Sequence, residues 1–116
     1  MSLLKERVKE KGITQTKLAE IGNVSNTHIS YILEGKRQIS YSLAKKIYKE
    51  LGYYSPLDLI LAYYNLRSST DFTKIDNEML EILSKIITRK FKDKNLSQDK
   101  QMIFVSKINK VANKLY

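Results

Sequence analysis

Residues 14–37 read TQTKLAEIGNVSNTHISYILEGKR, and the fold turns on how this stretch divides. Thr14 is a helix-capping residue, and Leu18, Ala19 and Ile21 follow it at helical spacing. Gly22-Asn23-Val24 then interrupts the pattern. Asn is the non-glycine residue best tolerated in a left-handed backbone, which a three-residue reversal needs. Ser25 caps again, and Ile29, Ile32 and Leu33 recur at the i, i+3, i+4 spacing of a core-facing helix. Gly35 closes that helix, and the cations Lys36 and Arg37 follow. The stretch is two short helices joined by a tight turn. With Leu18, Ala19, Val24, Ile29 and Ile32 pointing inward, Asn26, Thr27, Ser30 and Tyr31 are left on the outer face.

The same reading extends to both sides. Leu4 and Val8 share a face of a helix that ends at Gly12. Ser40 opens a helix with Leu43, Ala44, Ile47 and Leu51 on one side, stopped by Gly52. Ser55-Pro56-Leu57-Asp58 supplies a cap, a first-turn proline and a first-turn acid, with Leu57, Ile60, Leu61 and Tyr64 expected on the buried side. Residues 67–72 read as a linker. A further helix is expected from about Ile75 to Phe91, with Met79, Ile82, Leu83, Ile86 and Ile87 as its apolar stripe. The polar run 92–95 breaks it, and Ser97 caps a last helix carrying Met102, Val105, Ile108, Ala112 and Leu115. No alternating strand pattern of useful length occurs. The expected fold is all-α, with five helices over residues 1–66 and a two-helix C-terminal extension over 67–116.

Composition limits the function classes. Twenty-one Lys and Arg face 12 Asp and Glu, a formal net charge of +9, which favours a polyanionic partner. Residues 1–65 hold ten of these cations against six acids, and residues 66–116 hold eleven against six, so the excess is spread over both halves. The chain has no cysteine, which excludes disulfides and thiolate metal sites. The start lacks the apolar core of a signal peptide and no apolar run approaches a membrane span, so a cytoplasmic protein without a membrane partner is expected. No nucleophile motif, phosphate loop or carboxylate cluster points to an enzyme, a metal or a cofactor.

A helix pair of this form is a helix-turn-helix, whose second helix enters the DNA major groove while the first crosses the backbone. The chain resembles the Cro/CI-type repressors, the XRE family of helix-turn-helix regulators, whose DNA-binding domain is the five-helix lambda-repressor-like fold. The resemblance is carried by Ile13-Thr14-Gln15, Leu18-Ala19-Glu20, Val24-Ser25, Ile29-Ser30, Ile32, Gly35-Lys36-Arg37, Ser40, Ile47 and Leu51-Gly52, in order and at these spacings. It implies roles. Gln15 matches a residue that touches a phosphate and braces the recognition helix. Ser25 matches a cap that contacts the backbone. Asn26, Thr27 and Tyr31, with Ser30 nearby, match positions facing base edges, and Lys36 and Arg37 match loop cations that grip phosphates. His28, the only histidine, is expected at the solvent or beside a phosphate.

The residue chemistry fits those roles. Asn pairs in bidentate fashion with adenine, and the Thr methyl packs on that of thymine. With no Arg or Lys on the reading face, a site read at A·T pairs is expected. Two positions depart from the family. Asn23 replaces its usual turn glycine. Val8 and Leu33 stand where the family often carries a buried Arg–Glu pair, and their joint loss leaves no unpaired charge.

The expected function is a sequence-specific double-stranded DNA-binding transcriptional regulator, a repressor dimerising on a palindromic operator through residues 73–116. An antitoxin-type or antagonist-controlled protein that binds a toxin or other partner and regulates its own promoter is the alternative. Net charge alone would instead suggest an RNA or membrane-surface binder with weak sequence preference. Tyr53, Tyr54, Tyr63 and Tyr64 fall near the junction with the extension, where core or dimer contact outweighs stacking on single strands.

Overall fold

The computed structural model describes residues 3–65 and 77–91, and further on residues 103, 106, 107 and 110. Six helices are bounded among them: α1 (Leu3–Lys11), α2 (Gln15–Gly22), α3 (Asn26–Leu33), α4 (Tyr41–Ile47), α5 (Pro56–Tyr63) and α6 (Asn77–Phe91). No strand occurs among the described residues. The all-α expectation holds. The linker expected at 67–72 and the helix expected after Ser97 lie outside the described residues, apart from residues 103, 106, 107 and 110, which have helical backbone and are exposed.

Side-chain oxygens open the short helices, each accepting from the amide three residues on. Thr14, Ser25, Ser40 and Ser55 cap α2, α3, α4 and α5 through the amides of Lys17, His28, Leu43 and Asp58. The Ser55 hydroxyl also donates to Asp58 Oδ2 at 2.8 Å, closing a reciprocal cap. Helices this short are marginal alone, and their stability comes from the shared core. That core joins Leu4 and Val8 of α1, Leu18 of α2, Ile29, Ile32 and Leu33 of α3, Leu43, Ala44 and Ile47 of α4, Leu51, and the apolar residues of α5.

Two contacts tie the ends of this unit together. Asn65 turns the chain out of α5 with a φ of 62°, and its Oδ1 accepts from the Leu3 amide at 3.0 Å. Arg7 of α1 donates to the carbonyl of Leu51 at 3.1 Å and lies 4.5 Å over the Tyr53 ring. The C-terminal end of the α4 region thereby gains a cation where its carbonyls are unsatisfied.

The helix α6 packs against α5 and α4, and it does so on a face rotated from the expected stripe. Leu80, Leu83, Ser84 and Ile87 are buried, whereas Ile82 and Ile86 are 45% and 43% exposed. Met79 is half-buried against the core. Ser84 can join the buried face because it is satisfied locally. Its hydroxyl donates to the Leu80 carbonyl at 2.7 Å, so it is buried with its hydrogen bond satisfied inside the helix. Leu80, Leu83 and Ile87 belong to the same core cluster as α1–α5, and α6 is part of that core.

Candidate nucleic-acid interface

The turn between α2 and α3 is built on Asn23, at φ 55° and ψ 46°, in the left-handed region. Its amide donates to the carbonyls of Ala19 and Glu20, and the Val24 amide donates to Ala19, so the last carbonyls of α2 are satisfied. Val24 packs on the core as a wedge between the helices. Gly22 makes the approach of α4 close: a Cβ there would lie 2.5 Å from Leu43 Cδ1. The sequence places each of these residues, and together they fix the crossing of α2 and α3.

That crossing leaves Ser25, Asn26 and Thr27 exposed at the start of α3, with His28, Ser30 and Tyr31 partly exposed along it. Gln15 is exposed at the start of α2. The side-chain contact between the two helices comes one residue later: Asn26 Nδ2 donates to Thr16 Oγ1 at 3.0 Å. An amide nitrogen carries two hydrogens. Asn26 thus has its oxygen and a second N–H beyond this contact, while Thr16 holds its side chain.

The loop after α3 folds back on the helix. Gly35, at φ 77°, permits the turn, and the amides of Lys36 and Arg37 both donate to the Tyr31 carbonyl, at 2.8 and 3.3 Å. The Arg37 guanidinium lies 4.7 Å over the Tyr31 ring, and its Nη1 meets His28 Nδ1 at 3.1 Å. Arginine can only donate, so Nδ1 is the acceptor side of this contact. Lys36 lies 5.7 Å over the other part of this cluster, the same Tyr31 ring, and pairs with Glu34 at 3.1 Å. The expectation of an A·T site rested on a reading face without cations. The fold alters that premise, because Arg37 is laid across Tyr31 at the face itself.

Behind the loop are residues the sequence did not single out for this role. Tyr63 of α5 donates its hydroxyl to the Arg37 carbonyl at 2.6 Å. Gln38 Nε2 reaches the Thr88 carbonyl of α6 at 3.2 Å and the Tyr64 hydroxyl at 3.4 Å. The rings of Tyr63 and Tyr64 meet edge to face, 4.7 Å between centroids. Burial pushes both phenols above the ordinary tyrosine range, Tyr64 with partial relief from its hydrogen bonds to Thr88 and Gln38. Both are therefore protonated at neutral pH, and Tyr63 is a donor. Their place at the junction was legible, and their partners were not.

The family model described as Helix-turn-helix matches residues 4–59, just under half of the chain. The match over residues 4–59 is consistent with a Cro/CI-type, XRE-family helix-turn-helix regulator. The match supports a DNA-binding transcriptional regulator, and α2 and α3 are the helix pair of its helix-turn-helix. No curated protein and no solved structure matches the chain. In this helix-turn-helix domain Val8 and Leu33 are each 8% exposed in the common core, where the family often carries an ion pair. No helix among the described residues is long and apolar enough to cross a membrane.

Proposed function

We propose that the chain is a sequence-specific repressor that binds a palindromic double-stranded operator as a homodimer and acts by occluding a promoter in the cytoplasm. The observation that carries the reading is the face of α3: Asn26 and Thr27 exposed at its start, with Asn26 held by Thr16 and Arg37 stacked on Tyr31 further along. Asn26 reads adenine in a bidentate pair worth roughly 1–3 kcal/mol of discrimination when well made, and Thr27 packs on a thymine methyl. Arg37 adds a guanidinium suited either to a guanine edge or to a phosphate. Gln15, Ser25, His28 and Lys36 hold the backbone and set the register. Affinity falls steeply with salt as phosphate contacts release counterions.

The dimer is assigned to residues 73–116. Ile82 and Ile86 form an i, i+4 apolar pair facing outward on α6, and Ile103 is 57% exposed. A two-fold pairing over this region sets two recognition helices about 34 Å apart, one turn of DNA. The same exposed residues would serve an antagonist or toxin that binds the extension. That reading predicts a heteromeric complex in place of a stable homodimer on DNA.

The test is the variant Asn26→Ala/Thr27→Ala. Its helical circular dichroism and melting temperature match the wild type, and its affinity for the selected operator drops by at least about tenfold. Unchanged operator binding would remove α3 as the reading helix.

A further inference from the structure

The loop 35–38 carries Arg37 to the reading face, yet its own backbone is held from the opposite side. Its inner edge is bonded to the Tyr31 carbonyl of α3. Its outer edge is bonded to α5 through Tyr63 and to α6 through Gln38. Just beyond, Ile39 is buried and Ser40 caps α4, so the loop is pinned at its far end too. The Thr88 carbonyl that accepts from Gln38 belongs to the last described turn of α6, so the bond ties the loop to that helix.

We propose that Tyr63 is a positioning residue for DNA binding: its hydroxyl fixes the Arg37 carbonyl so that the guanidinium stays on Tyr31 and His28, and the Gln38–Thr88 bond makes α6 a part of that support. The inference rests on the DNA-binding reading above and assigns a role to residues outside the helix-turn-helix. Its physical basis is preorganisation. An arginine on a free loop must be ordered at the moment of binding, and a seated one has already met that cost. The hydroxyl of Tyr63 touches no part of the reading face among the described contacts, so its effect on DNA passes through Arg37.

The test is a double-mutant cycle on the full chain, using the duplex recovered by selection from random DNA. Tyr63→Phe keeps the ring and removes the donor. It is expected to weaken binding about three- to tenfold, the worth of one hydrogen bond, with circular dichroism unchanged. In the Arg37→Ala background the same substitution is expected to have little further effect, because there is no guanidinium left to place. A purely structural role would multiply the two penalties. Gln38→Ala, an exposed substitution that leaves the core intact, tests the α6 arm separately and is expected to show the same loss of effect when Arg37 is absent. Wild-type affinity in Tyr63→Phe, or independent penalties in the cycle, would overturn the positioning role while leaving DNA binding in place. A wild type that retains no duplex would overturn both.

Discussion

Asn23 shows how much of the turn one side chain decides. Its left-handed backbone lets α2 end and α3 begin within three residues, and its amide closes the end of α2. An Asn pays less than other non-glycine residues for that conformation, since its side chain can bond locally. Asn23→Gly is therefore expected to change unfolding free energy by no more than about 0.5 kcal/mol, whereas Asn23→Val is expected to lose about 1–2 kcal/mol. Equilibrium urea unfolding measures both, and equal effects would remove the turn geometry as the cause. This residue was readable from sequence because the requirement is local. The seat of Arg37 was not. It depends on a ring six residues back, an imidazole nine back and a hydroxyl 26 residues ahead, and only the tertiary arrangement brings them together. A cation after a glycine reads as a phosphate grip, and nothing nearby in the chain shows that it is folded over the helix.

At the scale of elements, the caps and apolar periods gave α1 to α5, since a Ser or Thr three residues before a satisfied amide leaves a local signature. The rotation of α6 escaped the same logic. Apolar residues occur on two neighbouring faces of this helix; the one that packs holds Leu80, Leu83 and Ile87, and Ser84 is buried among them by bonding to its own backbone. The core positions of Val8 in α1 and Leu33 in α3 carry a sharper consequence. Val8 and Leu33 lie in one apolar core at positions where the family often has opposite charges. Val8→Arg is expected to cost up to about 3–5 kcal/mol, the penalty of a buried charge without its partner, and adding Leu33→Glu is expected to recover part of it. Thermal or chemical unfolding of the two single variants and the double variant measures the coupling. A double variant whose destabilisation equals or exceeds the sum of the two single effects would reject the correspondence between the two positions.

At the scale of the whole molecule, α6 shares one core with α1–α5. Leu80, Leu83 and Ile87 are buried with α1–α5, and the Gln38–Thr88 bond runs from the DNA-proximal loop to α6. The outer face of α6 leaves Ile82 and Ile86 exposed, and Ile103 is exposed as well. If the proposed homodimer pairs through that face, the packing of α6 against the core would set the distance between the two proposed reading faces, and with it the half-site spacing. The account's central claim is sequence-specific reading of duplex DNA by two copies of α3, and selection of bound sequences from random double-stranded DNA tests it most directly. The predicted result is a palindrome with half-sites centred about 10–10.5 base pairs apart, or a multiple of that, enriched by the wild type and lost by Asn26→Ala/Thr27→Ala. Enrichment of no motif, or the same motif from both proteins, would contradict it.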